Sequence, residues 1–390
     1  MKAWYIGFFD VNNVENRNYI PAAANKMWYI AKTAVQTNSE KVEIISIART
    51  RNKRFYPGRR QKIENDLWLK IFPTIPNLNG LTRKAGFLLT RLCLFFYLMV
   101  HVQPTDQVIV YHSVGYGNAI HWAKKLKKFR VILEVEEIYQ DVKSLGKRKN
   151  RREYRDIQEA DGYIFSTELL DKKLNTAHKP HVFIYGTYHT EKETQVCFID
   201  NKIHAVYAGT FSAEKGGAQA AIAAAEYLPD DYHVHILGFG TAREVQAIQT
   251  QIQRMNENLG QTRVTYEGLL EGEEYIRFLQ KCQIGLSTQT PEKKLNDSSF
   301  PSKILSYMAN GLRVVTIRIP AVEVSAVSKA MYYYTRQRPE EIARAIQTVD
   351  LNDSYDSRKM IRDLDKRFRE DLKTLLQCSE ENENESHPAV

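Results

Sequence analysis

The sequence predicts an α/β protein of two domains, each a parallel sheet with helices on both faces. Three observations carry that prediction. The chain has 390 residues, too many for one ordinary core. Short apolar strand patterns alternate with helical patterns through the first half. After a polar stretch near Thr187–Asn201 the alternation starts again.

In the first series, Ala3–Phe9 and Val42–Ile47 read as buried strands, with the helical pattern Ala22–Val35 between them. Val108–Tyr111 and Val131–Val135 are apolar runs separated by the helix-like Asn118–Lys128. Tyr163–Phe165 and Val182–Ile184 close this series. In the second, His204–Ala208, His233–Leu237, Val264–Tyr266, Ile284–Leu286 and Val314–Ile317 read as strands. Ala218–Tyr227, Arg243–Asn258 and Glu273–Lys281 read as the helices between them. Arg358–Gln377 is a charged helical pattern with Ile361, Leu364, Phe368, Leu372 and Leu375 on one stripe. The expected layout is an N-terminal domain over 1–190 and a second over 200–350. A helical segment over 351–378 returns to the first domain, and 379–390 is acidic, polar and disordered. Two such domains facing each other leave a cleft at the carboxyl ends of their strands, where open α/β sheets bind ligands.

Hydrophobic content of 43% and charged content of 26% place the chain among ordinary globular proteins. Met1-Lys2 runs directly into a strand pattern, so no secretory leader is expected. Cys93, Cys197, Cys282 and Cys378 are isolated, without ligand spacing, which argues for a reducing compartment and no structural zinc. The net charge of +9 is uneven: residues 1–200 hold 32 Lys+Arg against 20 Asp+Glu. A basic first half suits an anionic partner. Membrane surface and phosphorylated lipid rank ahead of nucleic acid, since no aromatic-interleaved RNA motif is present.

The most informative segment is Asn296–Thr316, NDSSFPSKILSYMANGLRVVT. It reads as a polar loop, a short helix, a Gly311 stop and a strand. Ser298, Ser299, Phe300, Pro301, Ser302, Lys303 and Ile304 fall where the helix begins, the end that offers N–H groups and partial positive charge to an anion. A second segment, Tyr207 to Gly217, follows a strand. Gly209 and Thr210 let the backbone approach a ligand, and Lys215 supplies a point charge. Gly238-Phe239-Gly240 ends another strand; alone it reads as an ordinary turn. No dinucleotide fingerprint follows the first strand, so nicotinamide binding is not expected.

The GT-xxxxK-G turn, the LGFGT strand end, the YEGLL segment and SSFPSKILSYMANGLRVV together resemble the GT-B glycosyltransferases. They are most similar to bacterial family 4 enzymes of capsular and exopolysaccharide synthesis. The resemblance is strongest over 203–320. It implies that Lys215 holds the donor diphosphate, with Thr210 standing where the family has an arginine. It also implies two donor-contacting positions that are glutamates in the family, one at the sugar and one at the ribose. Here they are Ser298 and Ser306. Asp297 lies beside the first, and Lys303 can supply the charge missing at Thr210. The chemistry fits: transfer from a nucleotide sugar needs the leaving diphosphate stabilised, and lysines with backbone amides suit that task without a metal. The one DxD, Asp363-Leu364-Asp365, lies in a helical pattern rather than at a strand end.

The acceptor side falls to the first domain. Glu134, Glu136 and Glu137 end a strand, with Glu134 and Glu136 on one face and Glu137 on the other. Glu136 or Glu137 is a candidate base for an acceptor hydroxyl, or a group that positions it; a solvated strand end is the equal alternative. His112 sits at a similar strand end, though a lone histidine is more often structural. Arg17 is a candidate for an acceptor phosphate or a plain surface arginine. Gly86–Val102 is the most apolar stretch, with an uninterrupted core, Leu92–Val100, too short for a bilayer span. A helix buried in the domain is preferred over one dipping into the membrane interface. The basic clusters near Arg51–Arg54, Arg59–Arg60, Arg83–Lys84 and Lys147–Arg152 favour the interface.

The resulting expectation is a metal-independent hexosyltransferase without cofactor, retaining in preference to inverting, using a UDP- or GDP-linked sugar. Its acceptor is a lipid-linked or oligosaccharide precursor. It lies in the cytoplasm, peripheral on the inner face of a bacterial plasma membrane, and binds no nucleic acid. The alternatives are a non-catalytic GT-B partner subunit, suggested by the two serines, and a nucleotide-sugar epimerase.

Overall fold

A computed structural model describes residues 2–37, 41–139, 146–212, 216–290 and 299–377. The expected tail over 379–390, and the site residues Lys215 and Ser298, lie outside the described residues. The chain forms two compact units. One takes Met1–Thr187 and the chain from Lys366 onward; the other takes Tyr188–Asp365.

Unit 1 runs β1 (Lys2–Gly7), α1 (Pro21–Thr37), β2 (Lys41–Ser46), β3 (Arg59–Glu64), β4 (Leu67–Ile71) and α2 (Gly80–His101). It continues through β5 (Gln107–Tyr111), α3 (Gly117–Lys127), β6 (Arg130–Val135), α4 (Lys147–Gln158), β7 (Gly162–Phe165), α5 (Glu168–Leu174) and β8 (His181–Phe183). Its eight strands are ordered β3-β4-β2-β1-β5-β6-β7-β8. Every neighbouring pair is parallel except β3–β4, which is antiparallel. Strand order reverses between β1 and β5, and this switch point is where such a sheet opens a crevice. The central strands are apolar and buried on both faces, as a covered parallel sheet requires.

The β3–β4 pair was not expected from the sequence. β3 reads Arg-Arg-Gln-Lys-Ile-Glu, too polar for a buried strand, and its residues alternate between exposed and half-buried at the sheet edge. It has an electrostatic use. Glu43 on β2 is buried, and Arg60 on β3 reaches it at 2.9 Å. Hydrogen bonds from Arg60 and Tyr97 hold Glu43 below the usual carboxylate range against the opposing effect of burial, the largest single influence.

α2 begins with a capping box: Asn79 accepts from Leu81 and Thr82, and Thr82 reaches back to the Asn79 amide. Its core face is Gly86, Thr90, Leu94 and Leu98, spaced by four. The opposite face is not buried. Leu88 and Phe96 are 56% and 60% exposed, and Leu81, Leu92 and Val100 are exposed with them. The expected burial of this helix therefore holds for one face only. By length and composition alone it could cross a membrane, but Leu94 and Leu98 belong to the unit 1 core, which leaves only its outer face for any other contact.

Unit 2 runs β9 (Ile203–Thr210), α6 (Gly217–Ala224), β10 (Tyr232–Phe239), α7 (Ala242–Leu259), β11 (Val264–Gly268), α8 (Gly272–Leu279) and β12 (Ile284–Ser287). Then follow α9 (Lys303–Ala309), β13 (Arg313–Ile317), α10 (Pro320–Glu323), β14 (Met331–Tyr334) and α11 (Pro339–Gln347). The six strands are ordered β11-β10-β9-β12-β13-β14, with every pairing parallel. The switch point lies between β9 and β12. A last helix, α12 (Ser357–Gln377), starts in unit 2 and ends in unit 1. There Phe368, Leu372 and Leu375 are buried, and Phe368 stacks on Tyr29 of α1.

Candidate active site

The carboxyl edge of β9 is built for close approach. Gly209 pairs with Gly238 of β10, and Thr210 with Phe239. Gly238 has φ +139°, a region that side chains rarely enter, and a Cβ there would overlap the Gly209 carbonyl. The GxG at this strand end is thus more than an ordinary turn; it lets two strand ends meet. A Cβ on Gly209 would lie 2.9 Å from the Lys303 Nζ. The ammonium of Lys303 therefore sits over the end of β9, 3.8 Å from the centroid of the Tyr207 ring. Strand alternation puts Tyr207 and Gly209 on one face, so the ring and the gap beside it come as a pair. Burial pushes the Tyr207 phenol up to about 12, so it stays a neutral donor, 3.3 Å from the Thr210 carbonyl.

The neighbouring strand at the switch point, β12, ends at Ser287. Thr288 just beyond it donates to the Gly217 carbonyl at 2.7 Å, tying the start of α6 to this edge. α9 carries the remaining expected residues, with Ser302 at its N-cap. Ile304 is fully buried and its amide donates to the Pro301 carbonyl at 3.0 Å, so it holds the turn instead of facing a ligand. Phe300 is also buried. Ser306 is half-buried, and its hydroxyl meets the Tyr275 hydroxyl at 3.3 Å. Tyr307 fixes the edge from behind: its hydroxyl accepts from the Ala208 amide at 2.8 Å and lies 3.2 Å from the Leu286 carbonyl. Gly209, Thr210, Gly238 and Lys303 thus converge, and Ser306 lies one helical turn beyond Lys303. Tyr207, Tyr275 and Tyr307 were not expected; only Tyr207 left a signal, through its position two before Gly209.

In unit 1 the three acidic residues separate. Glu134 is buried and accepts from the Tyr5 hydroxyl. Burial, then Glu136, pushes it up to about 8, against the pull of Lys26. Glu136 is partly open and pairs with Lys26, whose ammonium also donates to the Ile184 carbonyl at 2.8 Å. The Glu137 carbonyl lies 3.3 Å from Nδ1 of His112. His112 is 4% exposed, and burial holds it down to about 4, so it is neutral at pH 7. Its Nε2 is 3.6 Å from Glu153, and the Tyr139 hydroxyl caps its carbonyl at 3.2 Å. This is a packed structural histidine. Arg17 matches neither expected role: it is 1% exposed, pairs with Glu15 at 2.6 Å, and donates to the Ala48 carbonyl at 2.7 Å. It pins the loop after β1.

Comparison with known proteins bears on the fold. Residues 202–350 match the family described as glycosyl transferases group 1. No curated protein matches the chain. Among solved structures, a trehalose-6-phosphate protein from E. coli bound with UDP-2-fluoro glucose superposes with TM-score 0.68 at 10% identity, covering 97% of this chain and 100% of that one. Anabaena HepE in complex with UDP gives 0.63 at 13% identity, covering 97% and 98%. A sucrose-phosphate synthase from Thermosynechococcus elongatus gives 0.62 at 14% identity, covering 96% and 94%. The chain has the GT-B fold, and its unit 2 carries the sequence pattern of glycosyl transferases group 1.

Proposed function

We propose that this protein is a glycosyltransferase that moves a sugar from a nucleoside diphosphate donor to a lipid-linked or oligosaccharide acceptor in capsular or exopolysaccharide synthesis. The observation that carries the reading is the Lys303 ammonium held over Gly209 at the switch point of unit 2. A diphosphate laid there meets a fixed cation, with Lys215 as the second in sequence. When the bond from the sugar's anomeric carbon to the β-phosphate oxygen breaks, both electrons stay on the diphosphate. Lys303 and Lys215 offset that charge. Two of the similar structures hold UDP or a UDP sugar, which favours a uridine donor. Glu136 is the acceptor-side carboxylate of choice, since it is partly open where Glu134 is buried. The basic charge and the apolar outer face of α2 in unit 1 support a peripheral position on an anionic membrane.

Ser306 favours a second reading, a partner subunit without activity, because its hydroxyl faces Tyr275 where the family carries a carboxylate. Calorimetric titration with UDP, GDP, CMP and dTDP separates the two. The transferase reading expects saturable binding of one nucleotide, weakened about tenfold or more by Lys303→Ala with the fold intact. No binding by any of the four supports the partner subunit.

A further inference from the structure

Unit 1 has a pocket at its own switch point, where the ends of β1 and β5 part. Phe8 follows β1, Tyr111 ends β5 and Tyr139 lies beyond β6, while Tyr19, Ile20 and Met27 close the pocket from the entry to α1. Four aromatic rings with Ile20 and Met27 make its wall mostly apolar.

Local packing fixes that wall before any ligand arrives. A Cβ on Gly7 would lie 2.4 Å from the Met27 Cε, so the missing side chain gives Met27 its place beside Tyr111. Phe8 meets the Tyr111 ring edge-on, with centroids 6.4 Å apart. Tyr139 is held at both ends: its amide donates to Glu153 at 2.7 Å and its hydroxyl to the His112 carbonyl at 3.2 Å. Tyr19 and Tyr111 carry hydroxyls that bond to no described residue.

The pocket adjoins the acceptor-side carboxylates. Tyr111 pairs in register with Glu134, Met27 follows the Lys26 that binds Glu136, and Tyr139 comes three residues after Glu136. Their charge reaches it. Burial, then Tyr139, Glu136 and Glu134, pushes the Tyr111 phenol well up, and burial, then Glu137 and Glu153, pushes up Tyr139. No charged side chain lines the pocket. A phosphate placed there would meet the field of the carboxylates with no cation in the wall to offset it. An uncharged sugar meets no such penalty. Its C–H face suits the rings, and its hydroxyls suit the Tyr19 and Tyr111 hydroxyls.

We infer that this pocket seats the terminal sugar of the acceptor and that this sugar is an uncharged, unphosphorylated pyranose, with Tyr19 and Tyr111 as specificity-determining residues. The inference rests on the proposed glycosyl transfer and deepens its acceptor side.

The test is titration of the full chain by saturation-transfer difference NMR, with and without saturating UDP. The probes are the methyl glycosides of glucose, galactose, rhamnose and N-acetylglucosamine, with glucose 6-phosphate as the charged probe. At least one methyl glycoside is expected to bind saturably, and glucose 6-phosphate about tenfold or more weaker than the best of them. Tyr19→Phe with Tyr111→Phe keeps both rings and is expected to weaken that glycoside about fivefold or more. Trp122→Ala on α3 removes an exposed ring elsewhere and is expected to change nothing. Three results overturn the inference: no binding of any methyl glycoside with or without UDP, unchanged affinity in the Tyr19/Tyr111 variant, or glucose 6-phosphate binding as tightly as any glycoside. Nucleotide titration of the same protein separates this pocket from the donor reading. If UDP binds and no glycoside does, only the pocket assignment fails. If a glycoside binds through Tyr19 and Tyr111 while no nucleotide binds at all, the transferase reading fails and the pocket stands as a sugar site.

Discussion

At the carboxyl edge of unit 2, Gly209 and Gly238 leave room beside the Lys303 ammonium. At the corresponding edge of unit 1, Tyr5, Glu134, Glu136 and Lys26 fill the space with ionisable groups bonded to one another. The two sheets share a strand order around their switch points, so topology does not explain the contrast. Side chains do. Unit 2 offers backbone and a fixed cation, which suits a diphosphate that needs close approach. Unit 1 offers carboxylates, which suit hydroxyl groups. On the proposed reading, one scaffold presents an anion site and a hydroxyl site, and the difference lies in a few residues at strand ends.

The comparison breaks most severely at Gly238. Gly238→Val places a branched side chain at φ +139° against the Gly209 carbonyl, so we expect a loss of about 3 kcal/mol or more and loss of nucleotide binding. A urea midpoint like that of the parent protein would show that the strand ends can separate freely.

Glu134 and His233 sharpen the contrast through opposite pH dependence. Glu134 is raised from 4.5 to about 8, so its protonated form is favoured by folding. Its contribution to stability is complete below pH 4.5 and lost as pH rises through 8. Glu134→Gln keeps an acceptor for Tyr5 and carries no charge, so we expect it to be more stable than the parent at pH 8 by about 1 kcal/mol or more, with little difference at low pH. In unit 2, His204 and His235 form a hydrogen-bonded chain between Asp200 and Glu267, and His233 lies beside both rings on the same sheet face with its Nε2 3.0 Å from the Thr265 hydroxyl. His233 is lowered from 6.5 to about 4, by burial and then by His235. Its contribution is complete above pH 6.5 and lost as pH falls toward 4. His233→Gln is expected to flatten that acid limb. Parallel pH profiles for parent and variant would remove His233 as its source.

The smallest effect belongs to the outer face of α2. Leu92→Ser should change stability by about 0.5 kcal/mol or less, whereas Leu94→Ala on the buried face should cost about 2–5 kcal/mol. Equal costs in thermal melts would mean that the outer face is buried in solution.

Much of this was legible in the sequence. Buried parallel strands are continuous apolar runs, so the central strands of both sheets and their alternation with helices could be read directly. The Ser302–Lys303 start of α9 and the Gly311 stop, at φ +90°, could also be read. What was hidden depended on partners far away in the chain. β3 is polar because it is an edge strand serving Glu43. Arg17 reads as a surface residue until the Ala48 and Phe72 carbonyls close on it. Lys26 and Tyr5 show nothing of Glu134 and Glu136, more than a hundred residues away. For α2 the sequence leaves a buried helix and an interfacial one both open, because composition does not say which face meets the core.

The central claim is that a nucleoside diphosphate is held at the carboxyl edge of unit 2 beside Lys303. Hydrogen–deuterium exchange with saturating UDP tests it most directly. The account predicts slowed exchange in the segments that follow β9 and lead into α9, an unchanged pattern over residues 2–187, and loss of the protection in Lys303→Ala. Protection confined to unit 1, or protection that persists in Lys303→Ala, would contradict it.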